Sequence, residues 1–226
     1  MTRYPLIFAD PAWRFGDRLC MSKVRRGADA NYATMTTAEI AALPVGLLAA
    51  DDAVLVLWRP SALARDALTV MDAWGFRHTS EVVWVKQAAP PTTDEIAAII
   101  AAGLARRKPL TAAQIARKVD QRIGRMHFGM GRLTRAAKEI AIVGVRGRPY
   151  KYLANHSTRD VFVSPPLRHS AKPECVQDAF ERMFPAGPWL ELNARRDRPG
   201  WVCVGNEAPS HFGRDMREVL AGMVAA

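Results

Sequence analysis

Leu6-Ile7-Phe8-Ala9-Asp10-Pro11-Ala12-Trp13 joins a short apolar run to a carboxylate, a proline and an indole. An unbroken apolar run of this kind suits a strand covered on both faces. Asp10, the Pro11 carbonyl and Trp13 would then stand together at one edge of a sheet. A carboxylate, a carbonyl and a flat ring can hold an extruded purine by its exocyclic amine and its face. The same residues also have a structural reading. Asp10 can cap a helix, Pro11 can occupy its first position, and Trp13 can pack in the core.

Outward from this segment, apolar runs alternate with amphipathic ones. Strands are predicted at 6–9, 53–58, 81–86, 140–145, 161–163, 189–193 and 201–204, and helices at 37–43, 61–74 and 172–183. Thr36 and Glu39 have capping-box spacing, Pro44 should end the first helix, and Ser61 is placed to cap the second. The alternation predicts an α/β fold, a mostly parallel sheet with helices on both faces. In such sheets ligands gather at the carboxyl ends of strands, where Asp10 falls. Two stretches break the rhythm. Residues 14–34 form a long loop carrying Arg14, Arg18, Lys23, Arg25 and Arg26. Residues 87–125 form an insert with two predicted helices, 94–106 and 111–122, the second with Thr111 and Gln114 as a capping box.

The chain has 226 residues and 49% hydrophobic composition, enough for a single domain over 1–226 with the helical insert as its appendage. A formal charge of +10 favours a polyanionic partner such as nucleic acid, although a soluble basic enzyme has the same balance. Three cysteines, far apart, suggest neither a disulfide framework nor a metal site, and the five histidines show no HxxxH spacing. No metal is therefore expected. No signal peptide is read, and Asp51 and Asp52 interrupt the best candidate for a membrane span. These features point to a cytoplasmic protein without membrane attachment, and they leave monomer and homodimer both open.

Three further segments complete the pattern: Arg168-His169-Ser170-Ala171-Lys172-Pro173, then Trp189-Leu190-Glu191-Leu192-Asn193-Ala194-Arg195-Arg196, then Pro199-Gly200-Trp201-Val202-Cys203-Val204-Gly205-Asn206-Glu207. Together with Asp10-Pro11-Ala12-Trp13 and in this order, they resemble the adenine-N6 methyltransferases that include the catalytic subunit of the eukaryotic mRNA adenine methylase and many bacterial and phage enzymes. The resemblance covers nearly the whole chain outside 87–125. Smaller similar pieces are Tyr32-Ala33-Thr34-Met35, Trp84-Val85-Lys86 and His127-Phe128-Gly129-Met130-Gly131. Two departures stand out: Ala12 replaces the usual second proline, and Asn193 stands where an aromatic is common.

The resemblance implies a Rossmann-like fold with S-adenosyl-L-methionine as cofactor and the 6-amino group of adenine as methyl acceptor. It makes Asp10, Pro11 and Trp13 the catalytic group, with Trp13 stacking on the base. It assigns Asp10, Lys172, Arg195, Asn206 and Glu207 to the cofactor, with Lys172 on the methionine carboxylate. Each has a plainer reading: Lys172 as a solvated helix-start residue, Arg195 as a surface cation, and Asn206-Glu207 as a turn. Tyr32, Arg14, Arg132 and Arg135 are candidates for the base pocket and its basic rim, and His169 for holding the loop before Lys172. The insert is the candidate target-recognition element. The nucleic acid implied is DNA. The alternatives are RNA, or a catalytically inactive nucleic-acid-binding subunit.

Overall fold

The computed structural model describes residues 2–14, 34–129, 133–167 and 171–226. Their strands form a seven-stranded sheet in the order β5-β3-β4-β2-β1-β6-β7. The strands are β1 (Tyr4–Ala9), β2 (Ala49–Arg59), β3 (Arg77–Lys86), β4 (Lys138–Arg146), β5 (Val161–Ser164), β6 (Trp189–Leu192) and β7 (Trp201–Val204). The α-helices are α1 (Thr37–Ala41), α2 (Val45–Leu48), α3 (Ala64–Ala73), α4 (Thr93–Leu104), α5 (Ala112–Asp120), α6 (Glu174–Met183) and α7 (Met216–Ala225). Pairings β1–β2, β1–β6, β6–β7 and β3–β5 are parallel, whereas β2–β4 is antiparallel. The chain is thus α/β with a mixed, mostly parallel sheet, as the alternation predicts.

Two compact units divide the chain. The first comprises Met1–Val82, Ile140–Asp160 and Cys175–Ala226. Its core lies on one side of the central strands, where Ile7, Leu55 and Leu57 meet Ile40, Val70, Met71 and Trp74. On β1 the neighbouring Phe8 instead packs edge-on against Phe180 of α6, with centroids 5.5 Å apart, and against Trp201 at 5.3 Å. Successive residues of a strand point to opposite faces, so both faces of β1 are covered. That double burial explains its unbroken apolar run.

The second unit comprises Val83–Glu139 and Val161–Glu174. It joins the end of β3 to the short β5, with Trp84 buried and its indole N–H donating to Ser164 Oγ at 2.8 Å. It also holds α4 and α5. Both begin with a capping box, Thr92 with Glu95 and Thr111 with Gln114. The first of these boxes was not foreseen, because the helix was predicted to begin at 94.

Several local expectations need correction. Ser61 does not cap the long helix; residues Ser61–Leu63 form a 3-10 turn, and α3 starts at Ala64 without a side-chain cap. Helix α1 stops at Ala41, before Pro44, which instead precedes α2. Helix α6 starts at Glu174, so Lys172 lies outside it. Helix α7, capped by Asp215, was not anticipated at all. Among the described residues, no helix is long and apolar enough to cross a membrane.

Candidate active site

Strands β1, β6 and β7 run parallel and end in register: Ala9 lies beside Leu192, and Leu192 beside Val204. The residues that follow those ends, Asp10, Asn193 and Gly205, therefore fall along one edge of the first unit. Asp10 is fixed there by its own backbone, whose N–H donates to the Leu192 carbonyl at 3.3 Å. The next residues fold tightly. The Trp13 N–H donates to the Pro11 carbonyl at 2.8 Å, and the Ala12 carbonyl accepts from Met35 N–H at 2.8 Å. Arg14 N–H completes the clasp by donating to the Met35 carbonyl at 2.8 Å. Ala12 keeps this turn closed without the second proline.

Trp13 is only 4% exposed, and its indole N–H donates to the Trp58 carbonyl at 3.0 Å. This packing agrees with the structural reading of the residue and ties the turn that carries Asp10 and Pro11 to β2.

At the other two strand ends the backbone is crowded. Asn193 adopts φ of 60°, a conformation that asparagine tolerates better than most residues. Its Oδ1 is buried with no hydrogen-bond partner among the described residues. Gly205 is required where it is, because a Cβ there would sit 2.2 Å from the Ala194 carbonyl oxygen. This close approach aligns the two following segments. Arg195 and Glu207 form an ion pair at 3.3 Å, both partly open to solvent, and Asn206 is exposed beside them.

In the second unit, Lys172 meets Glu139 at 3.1 Å, and Lys86 pairs with the same carboxylate. Burial opposes a charge on Glu139, yet Lys172 and Lys86 outweigh it and hold the carboxyl below its ordinary range. Lys172 is therefore not the solvated helix-start residue of the plainer reading. Lys86 also stands over the Trp84 ring, 4.8 Å from its centroid. Arg135 is exposed in this unit, with its guanidinium 5.2 Å from the centroid of Phe128. Arg14 is exposed in the first unit and donates to the Thr34 carbonyl at 3.2 Å. Tyr32, Arg132, His169 and the loop cations Arg18, Lys23, Arg25 and Arg26 lie outside the described residues.

The profile of the MT-A70 family matches residues 4–122 and 103–207, which include the Asp10 turn, Lys172 and both crowded strand ends. The chain belongs to the MT-A70 family. It is 24% identical over 224 residues to a type II methyltransferase, M.MunI, of a Mycoplasma species, covering 92% of this chain and 79% of that one. It is 27% identical over 210 residues to the human N(6)-adenosine-methyltransferase catalytic subunit METTL3, covering 91% of this chain but 28% of that one. A rice relative, probable N(6)-adenosine-methyltransferase MT-A70-like, is 28% identical over 211 residues, and the chain spans 23% of its length. The chain thus covers most of the Mycoplasma enzyme and about a quarter of the eukaryotic proteins.

MT-A70 proteins are methyltransferases that use S-adenosylmethionine. The donor set at the strand ends suits that molecule chemically: carboxylates for an amine and a diol, an exposed amide, a guanidinium, and a buried acceptor on Asn193. Two carboxylates outside the sequence-predicted site come forward in the structure, Glu139 and Glu191. Glu139 falls just outside the strand predicted at 140–145 and lies within β4, where Lys138-Glu139 before an apolar run is the visible signal. Glu191 belongs to the Trp189–Arg196 segment. It lies on β6 opposite Phe8, where burial, reinforced by the charge of Asp10, raises its carboxyl above the ordinary range.

Proposed function

We propose that this chain transfers the methyl group of S-adenosyl-L-methionine to the 6-amino group of adenine in DNA. The observation that carries the reading is the placement of Asp10 and the Pro11 carbonyl on a rigid turn at the carboxyl end of β1, beside the ends of β6 and β7. The amine of adenine is a poor nucleophile because its lone pair is delocalised into the ring. Asp10 accepts one N–H of that amine. The Pro11 carbonyl, which has a second lone pair beyond the one engaged by Trp13 N–H, accepts the other. Two fixed acceptors favour a pyramidal nitrogen whose lone pair points away from both. Catalysis is then positioning and electrostatics, and the nitrogen, made cationic by the new bond, passes its proton to the Asp10 carboxylate. Prior removal of the proton by Asp10 is excluded by the weak acidity of an aryl amine.

The cofactor, when bound, supplies a methyl group on a sulfonium centre. On this reading Arg195, Asn206 and Glu207 hold its ribose and adenine portions, and Asp10 contacts its amino group. Lys172, oriented by Glu139, holds its carboxylate. Arg14 and Arg135 supply positive charge for phosphates, and Tyr32 and Arg132 are assigned to the same substrate on sequence grounds. The catalytic carboxylate and its turn are intact, which favours an enzyme over an inactive subunit.

DNA is favoured by the match to a type II methyltransferase over most of that enzyme's length. RNA is the second reading, favoured by the similarity to the N(6)-adenosine-methyltransferases. Transfer of labelled methyl to matched DNA and RNA oligonucleotides tests both. Incorporation at adenine N6 in DNA is expected; incorporation in RNA alone selects the second reading, and none in either refutes the activity.

A further inference from the structure

The insert contains a concavity that the proposed chemistry does not use. Helices α4 and α5 touch at buried Gly103, where an added Cβ would lie 3.1 Å from Ile115 Cγ1. The chain between them folds back on the same point, with Leu110 N–H donating to the Gly103 carbonyl at 3.0 Å. Beside this contact opens a cleft of about 420 Å³. Its lining combines the apolar Ile99, Ala102 and Leu110 with Arg106, Lys118, Arg122 and Arg125 and the amide of Gln121. No carboxylate lines it. Among the described residues, none of the four cations forms an ion pair.

Four cations around one hollow repel each other; Lys118 lies in the last turn of α5 and Arg122 just beyond its C-cap, and both line the cleft. An anion in the cleft removes that repulsion. We infer that the cleft between α4 and α5 is a docking site for the phosphodiester backbone of DNA. The inference rests on the reading of the chain as a DNA-modifying enzyme. The charge pattern suits phosphates, which accept bidentate contacts from guanidinium groups. The lining contains no aromatic ring, so the cleft lacks the means to stack bases and is suited to hold backbone without reading sequence.

The test is anisotropy of a labelled DNA duplex titrated with the full chain, repeated over a range of salt. The cleft variant is Lys118→Gln with Arg122→Gln, and the control is Arg107→Gln with Lys108→Gln, which removes equal charge outside the cleft. Circular dichroism checks folding, and Lys118→Arg serves as a charge-keeping second variant. The cleft pair is expected to weaken binding on the order of tenfold and to lower the slope of log affinity against log salt by about 2. The control pair and Lys118→Arg should retain most of the affinity. In turnover, the cleft pair should raise the DNA KM and leave kcat unchanged. Wild-type affinity and slope in the cleft pair would overturn the inference, and so would an equal loss in the control pair, which would assign the effect to overall charge. If the wild-type chain transfers no methyl group to DNA yet the cleft pair still loses DNA affinity, the docking site stands and the proposed reaction falls.

Discussion

Asp10 is held by a backbone bond to Leu192 and by the turn that Trp13 anchors. Asp10→Ala should leave the fold intact and lower methyl transfer by about a thousandfold, since removal of one preorganised charge-stabilising group costs about 100- to 1000-fold. Its DNA affinity should stay within twofold, measured by anisotropy, whereas near-normal turnover would remove Asp10 from the mechanism. Trp13→Phe keeps an aromatic ring but removes the bond to the Trp58 carbonyl. It should cost about 1 kcal/mol in urea unfolding, and a larger loss in kcat than in stability would assign the indole to the chemistry. Glu139 gives a pH-dependent case. Its carboxyl is depressed in the native state, so its contribution is present above the ordinary carboxylate pKa of about 4.3 and fades as pH falls through its lower native value. Glu139→Gln should therefore destabilise the protein by about 2 kcal/mol at pH 7, with the deficit shrinking under acid. A deficit that does not change with pH would show that Lys86 and Lys172 find other partners.

At the level of elements, the strand ends act as a unit because β6 and β7 come so close at Ala194 and Gly205. Gly205→Ala places a methyl group 2.2 Å from a carbonyl oxygen and must push the two ends apart. A loss of about 3 kcal/mol in unfolding free energy is expected, together with weaker cofactor binding by calorimetry, because Arg195 and Glu207 ride on the displaced segments. The strands themselves were legible in the sequence. Runs such as Val54-Leu55-Val56-Leu57 admit little but a strand buried on both sides. The boxes at Thr36 and Thr111 were legible too, since each is a local device complete within four residues. What escaped was either weak or long-range. Helix α7 buries only Val219 and Leu220, too little apolar pattern to announce it. Pro60 and Ser61 resembled a helix start, but the first turn tightened to 3-10 geometry. The turn at Asp10 was readable from its residues, whereas the burial of Trp13 depends on Trp58, and the Lys86–Glu139–Lys172 cluster joins three distant stretches.

For the molecule as a whole, ligand linkage supplies the simplest measurement. S-adenosyl-L-methionine at a hundred times its Kd should stabilise the native state by about 2.7 kcal/mol and raise Tm accordingly. An unchanged Tm at saturating cofactor would deny the chain a cofactor site. The +10 charge predicts that DNA affinity falls steeply with salt, while folding stability changes far less. The construction of the insert has a separate consequence. Helices α4 and α5 together bury only Gly103, and Ile115 and Val119 are merely half-covered. So shallow a hydrophobic seam resists opening weakly, whereas β1 and β2 are sealed on both sides. Deuterium should enter the amides of α4 and α5 well before those of the central strands. A pair of helices secured by so few contacts is also one that evolution, or an engineer, can exchange for another without disturbing the sheet that carries Asp10.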